Sequence, residues 1–358
     1  SRFHRFIQNR FKKWPHTMNA TSTHDSKRGE DVRARLNVLS EIAREWSAEV
    51  KAWRKLNRPG KKKVHGRLSP DANDEYFLYQ TLTGTWPLDE SELPEYEERI
   101  RAYLIKAVRE AKRHTEWVQP DTAYEEASVD FFHSMIEQSG TNAFLERFVP
   151  FCRRVSRLGL VNSLAQTLLK LTLPGVPDLY QGTELWDFSL VDPDNRRPVD
   201  FKKRADMLEQ IRKKENGDSE GLLREMLSEP RDGRIKMYLI TKMLNFRKRD
   251  PELFSEGAYL PLKTTGPLRR HVFSFARHRE GRWLVVAVPR LPAGLHAEGA
   301  WPMGSDIWSS TRIHMPSSAP EKLTDLFTGK TGRFKKDVEI GRSTKHFPMI
   351  VMSSLGLD

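Results

Sequence analysis

Two clusters of side chains in this sequence have the types and spacing to do chemistry. The first is NATSTHDSKRGED, residues 19–31, where one His, two Asp, one Glu, Lys27 and Arg28 fall within thirteen positions. His24 and Asp25 are adjacent. On an extended strand they point to opposite faces, but at a strand-to-loop bend both can face one cavity. There an ionised Asp accepts from two sugar hydroxyls at once, and His hydrogen-bonds a neighbouring one. Glu30 and Asp31 read more simply as negative charge at the start of a helix from Val32, and Ser22 or Thr23 as caps. The second cluster lies within residues 171–201. It opens apolar with Leu171, Leu173 and Val176, and Pro174 and Pro177 forbid a continuing helix. Residues 178–180 then predict a short buried strand, ended by a sharp turn at Gly182. Beyond it crowd Gln181, Thr183, Glu184, Asp187, Asp192, Asp194, Asn195, Arg196 and Arg197, with Trp186 and Phe188 among them. A strand opening into such a loop suits the rim of an α/β barrel, where loops after strand C-termini carry the chemistry. Aromatics beside carboxylates and guanidinia also suit a sugar, with its apolar faces and hydroxyl edge. An ordinary solvated loop fits the same composition.

Other chemistries find no support. The eleven histidines show no HExxH or paired spacing, so no metal is expected. No GxGxxG or GxxxxGK[ST] occurs, and the one G-x-S-x-G match, at residues 217–221, lies between two helical stretches rather than after a strand, which leaves no nucleotide cofactor and no nucleophile elbow to expect. The single Cys152 excludes an intrachain disulfide and reads as a small buried residue. The 358 residues are 38% hydrophobic and 30% charged, as in globular chains of two or three domains. The net charge of +12 raises nucleic acid as a partner. Its 60 basic residues are scattered among 48 acidic ones, with one tight run at residues 61–63, so solvated surface is the expectation. No apolar run reaches membrane-spanning length, and no signal segment opens the chain; a cytoplasmic location follows. The start at Ser1, inside a basic amphipathic pattern and without Met, suggests a fragment.

The elements that must hold these clusters are mostly helical. Apolar spacing predicts helices over residues 3–14, 32–50, 71–114, 121–171, 201–214 and 221–250. After Pro251 the texture changes. Residues 272–278 and 283–288 are strand-like with Gly281 in the turn between them, and 307–308, 325–327 and 346–352 continue the pattern. Residues 253–358 therefore read as a small antiparallel β domain.

Two motifs together carry a resemblance. TSTHDSKRGEDVRARLNVLSE at residues 21–41 and LTLPGVPDLYQGTELWDFSLVDPDNRRPVDF at residues 171–201 resemble the maltooligosyl trehalose synthases of the α-amylase superfamily. Ser26 stands where Thr is as common. The resemblance implies a fold class of α/β plus an all-β tail: the C-terminal part of a (β/α)₈ barrel with a large helical insertion. Its divisions are residues 1–37, strand 7 with the His–Asp loop; 38–150, the insertion; 151–250, helix 7, strand 8 and following helices; and 251–358, the β domain. His24–Asp25 and the Tyr180–Glu184 turn are then expected at neighbouring strand tips over one glucose ring.

The implied reaction is an intramolecular transglycosylation. The reducing-end α-1,4 linkage of a maltooligosaccharide becomes α,α-1,1. Asp25 is implied as the third superfamily carboxylate, gripping the reacting glucose, with His24 stabilising the same transition state. Lys27, Arg28, Tyr180, Glu184, Asp194, Asn195, Arg196 and Arg197 are implied wall residues. The nucleophile and acid/base, about 5 Å apart in retaining enzymes, belong upstream of the His–Asp motif. Only about twenty residues precede it here, so neither Glu184 nor Asp192 is assigned to those roles. The implied partners are the glucan and a missing N-terminal barrel half, without which the chain is expected to be inactive. An amylase-type hydrolase and a non-catalytic glucan-binding fragment are the alternatives, and a nucleic-acid binder a distant one.

Overall fold

The computed structural model describes residues 2–137, 140–295, 300–334 and 336–356. Ser1 and Asp358, which bound two of the sequence expectations, lie outside them. The chain divides into two compact units. One comprises Ser1–Thr23, Leu160–Asp187 and Pro198–Asp358, and the other His24–Gly159 and Phe188–Arg197.

The second of these is helical, built on Glu30–Leu39, Ala43–Asn57, Ala72–Thr85, Leu93–Ala111, Thr122–Ile136 and the first half of Ala143–Thr172. Within it the predicted helical stretches each hold more than one helix. The 32–50 stretch parts at Ser40, whose hydroxyl takes the Asn37 carbonyl (2.8 Å). The 71–114 stretch parts at Trp86, held extended (ψ 127°) because the next residue is Pro87. Residues 121–171 split into Thr122–Ile136 and Ala143–Thr172. Asp71 caps its helix by accepting from the Asn73 and Asp74 N–H groups. The core centres on Trp53, which is fully buried and meets Phe144, Phe148 and Phe151 edge-on at 5.3–5.9 Å. Cys152 is buried as expected, and burial pushes its thiol up to about 12.

The other unit begins with the helix Arg2–Lys13 and the strand Met18–Asn19. That strand pairs in parallel with Val176–Pro177. The predicted strand at residues 178–180 is thus displaced upstream. The ladder bonds run from the Val176 N–H to the Thr17 carbonyl (2.9 Å) and from the Asp178 N–H to the Asn19 carbonyl (3.1 Å). Gly175 makes this pairing possible. Its φ of +120° is open to glycine alone, and a Cβ there would sit 2.5 Å from the Thr17 carbonyl oxygen. Gly182 turns as expected, with φ +88°. The predicted helix 221–250 is two helices, Ser219–Ser228 and Arg234–Arg249, parted by Pro230 and the left-handed Gly233.

The C-terminal strands are antiparallel, as expected. A six-stranded sheet runs in the order Thr331–Arg333, Lys322–Asp325, Ile350–Ser353, Arg282–Pro289, Val272–Arg279, Ala258–Pro261. A three-stranded sheet joins Asp337–Glu339, Arg312–His314 and Lys263–Thr265. Alternation sorts the long hairpin's side chains. Phe273, Phe275, Leu284 and Val286 pack with Leu239, Met243 and Phe254, while Ala276, Trp283 and Val285 pack with Trp308, Ile313 and Val338. Glu280 and Gly281, both at positive φ, make the turn. Three expectations change here. Residues 307–308 end a helix, Gly304–Trp308, in which the Trp308 indole N–H donates to the Pro302 carbonyl. Of 325–327 only Asp325 is strand, because its carboxylate accepts from the Phe327 and Thr328 N–H groups and closes a turn. Of 346–352 only the part from Ile350 is strand.

Gly175→Ala should destabilise the protein by about 1–3 kcal/mol, the cost of a forbidden φ plus the clash with Thr17. A thermal melt indistinguishable from wild type would show that the strand pair tolerates a shift.

Candidate catalytic and sugar-binding site

His24 and Asp25 follow Met18–Asn19 in a turn. The His24 Nε2 lies 3.2 Å from Asp25 Oδ2, and their side chains are 56% and 86% exposed. Such a pair presents a carboxylate and an imidazole edge outward. What holds it is main chain. The Asn195 side-chain amide donates to the His24 carbonyl (2.8 Å). Further along, the Gly29 N–H donates to the Ser189 carbonyl (2.7 Å), and Arg28 makes an antiparallel bridge with Leu190. Residues 24–29 are therefore laid against residues 189–195 at both ends.

The neighbouring cations are anchored from helices. Lys27 pairs with Glu110 (3.0 Å), and that contact holds the Glu110 carboxyl below its ordinary range. Arg28 donates to the Thr81 hydroxyl (3.2 Å) and lies over the Phe77 ring (5.3 Å). Asp194 faces inward. Arg99 grips both its oxygens (2.8 and 3.0 Å) and also donates to the Phe188 carbonyl (3.1 Å). The Leu190 N–H donates to the same carboxylate (2.7 Å). Burial raises the Asp194 carboxyl, but Arg99, Leu190 and Arg197 outweigh it and hold it below the ordinary aspartate range. Arg196 pairs with Asp192 (2.9 Å) and Arg197 with Glu95 (2.5 Å), all four partly exposed.

The structure thus gathers His24, Asp25, Lys27, Arg28, Asp194, Asn195, Arg196 and Arg197 in one unit. Tyr180 and Glu184 belong to the other. There Glu184 is one-third exposed and accepts from Arg204 (3.2 Å), which also holds the Gly182 carbonyl (3.0 Å). Tyr180 is half-buried, and its carbonyl accepts from the Thr183 N–H and hydroxyl. Sequence reasoning missed Arg99, Lys106 and Arg204. Arg99 and Asp194 are 95 positions apart, and no local pattern announces such a pairing.

One group of side chains has metal-ligand composition. Asp71, Asp74 and His114 bring their ligand atoms within 4.8 Å of one another. Protein donors already engage both acids. Asp71 caps its helix and accepts from His114 (2.9 Å), and Asp74 accepts from the Tyr124 hydroxyl. Hydrogen bonding within the fold accounts for the cluster. Among the described residues, no helix is long and apolar enough to cross a membrane.

No protein-family model matches the chain. Two curated relatives, from Mycobacterium tuberculosis strains H37Rv and CDC 1551, bear the provisional name maltooligosyl trehalose synthase. Each is 34% identical over 329 residues, 92% of this chain. The chain is homologous to the maltooligosyl trehalose synthases. It spans 37% of the length of those relatives. Among solved structures, the maltooligosyltrehalose synthase of Arthrobacter ramosus matches 98% of this chain at a TM-score of 0.78 and 30% identity, with 40% of its own length covered. A hypothetical maltooligosyl trehalose synthase of Sulfolobus tokodaii matches 99% at a TM-score of 0.69 and 30% identity.

In this maltooligosyl trehalose synthase homologue, Asp194→Ala leaves Arg99 largely buried without its counter-charge. The expected cost is roughly 2–4 kcal/mol in urea unfolding at neutral pH. Because the folded pKa is depressed, this stability is fully present above the ordinary aspartate value of about 3.9 and is lost as pH falls through the lowered one. Acid unfolding of the variant should lack that component. A difference below about 0.5 kcal/mol would make the pair a bystander.

Proposed function

We propose that this chain contributes the third carboxylate and its sugar-gripping surroundings to a maltooligosyl trehalose synthase. The observation that carries the reading is the parallel pairing of Met18–Asn19 with Val176–Pro177. These two strands lead into the two motifs, and parallel neighbours fit adjacent strands of a (β/α)₈ barrel. Residues 1–37 and 151–250 would be barrel, residues 38–150 a helical insertion, and residues 251–358 a β domain. The nucleophile and acid/base would come from a segment outside this sequence, in keeping with a chain that spans 37% of its curated relatives.

In this reading the C1–O4 bond at the reducing end of a maltooligosaccharide breaks. The released glucose turns, and its anomeric hydroxyl takes the glycosyl group, so C1–O1 replaces C1–O4 without net loss of atoms. Asp25 accepts hydrogen bonds from hydroxyls of the glucose that becomes oxocarbenium-like, and His24 hydrogen-bonds the same ring. Lys27 and Arg28 line the wall beside them with Arg196, while the Asn195 amide stands behind the pair on the His24 carbonyl. The exposure of the His24–Asp25 pair also leaves room for water as acceptor. Hydrolysis adds a reducing end per event and isomerisation removes one, so counting reducing ends separates the two.

In the complete enzyme, Asp25→Asn should lower isomerisation of maltohexaose by roughly a hundred- to a thousand-fold, the scale of losing one transition-state contact. Folding should be untouched, because the side chain is 86% exposed. Retention of more than a tenth of the activity would remove Asp25 from the site. The chain without its upstream half should form no trehalose ends.

A further inference from the structure

We propose that Arg99 is a positioning residue for the His24–Asp25 pair, and that it thereby sets how the site divides its flux between isomerisation and hydrolysis. This rests on the function proposed above. His24 and Asp25 are mostly solvent-exposed, with one 3.2 Å contact between them, so their own packing does not fix them. Their direction is inherited from the backbone of residues 24–29. That backbone is strapped to residues 189–195 by the Asn195–His24, Arg28–Leu190 and Gly29–Ser189 bonds. The question becomes what holds residues 189–195.

Magnitudes decide it. Lys27–Glu110, Arg196–Asp192 and Arg197–Glu95 each join partners at least a third exposed, and pairs of that kind contribute about 0–1 kcal/mol. The Lys106 ammonium reaches the Asp192 carbonyl (2.7 Å), a single contact by a flexible stem. Arg99–Asp194 differs in kind. Its side chains are 18% and 10% exposed, the contact is a two-pronged fork, and the same guanidinium takes the Phe188 carbonyl. A forked ion pair fixes orientation as well as distance. Asn195, which holds His24, is the residue next to Asp194. Arg99 therefore sits three links from the pair: guanidinium to Asp194, main chain to Asn195, amide to the His24 carbonyl. Loosening the first link lets the pair swing. A shift near 1 Å costs about a hundred-fold where reacting groups must be aligned, and a looser site admits water to compete with the sugar hydroxyl.

The test uses the complete enzyme with maltohexaose. Kinetics, reducing ends and trehalose-ended product are measured for Arg99→Met, Arg99→Lys, Asn195→Ala and the Arg99→Met/Asn195→Ala double variant. Arg99→Met and Asn195→Ala should each lower the isomerisation kcat about ten-fold or more and raise the hydrolytic fraction several-fold, with KM changed less than about three-fold. Arg99→Lys keeps the charge but not the fork, and should fall between wild type and Arg99→Met. The double variant should match the worse single one, because both cut one linkage. Should Arg99→Met fail to fold, Asn195→Ala decides, since its bond lies at the surface. An unchanged product ratio in Asn195→Ala, with Asp25→Asn inactive, overturns the role of Arg99 alone. Full activity in Asp25→Asn overturns the proposed function beneath it.

Discussion

Between Leu173 and Pro198 the chain forms almost no regular structure, yet much of it is half-buried or buried. Its peptide carbonyls must find donors that a helix or sheet would otherwise supply. Cationic side chains provide them. Arg277 and Arg247 take the Thr172 and Leu171 carbonyls at the end of the long helix (3.3 and 2.9 Å). Arg10 takes Pro174 (3.0 Å), Arg204 takes Gly182 (3.0 Å) and Lys236 takes Leu185 (3.1 Å). Arg99 and Lys106 continue the series at Phe188 and Asp192. Hydrogen bonds from charged donors contribute about 1.5–3 kcal/mol each, so this scaffold of cations, rather than a ladder, gives the stretch its shape.

A few of the basic residues depart from the solvated surface expected of them. The basic residues were expected on a solvated surface, and many are there. Arg35, Lys236 and Arg277 are fully buried instead. Burial lowers Arg277 to about 10, but three protein carbonyls surround it. Arg35 donates to the Trp86 carbonyl (2.6 Å) where the proline-broken helix ends, and lies 3.6 Å over the Phe188 ring. Each of these three buried cations meets a backbone carbonyl outside any strand ladder or helix.

The sequence was most legible where the signal is local. The His24–Asp25 turn, the Gly182 bend, the 272–289 hairpin and the start of the helix at residues 201–214 each follow from a few adjacent residues. The strand at 178–180 slipped because its place depends on which residues of 17–19 it meets, a partnership more than 150 positions long. Trp308 looked strand-like from its apolar neighbour Ile307, but the Pro302 carbonyl takes its indole and the segment turns helical. The cation–carbonyl pairs were invisible for the same reason as Arg99–Asp194. An arginine on a helix face reads as solvated until the loop it serves is known.

Exposure divides labour among these residues. His24 and Asp25 are mostly exposed, so replacing them leaves foldedness alone. Arg277 and Arg247 are largely buried and hold the carbonyls that end the long helix just before the second motif's loop. Selection for abundance alone would therefore let the His–Asp pair drift while guarding the buried arginines. A lineage in which that exposed pair had no task could keep this scaffold intact.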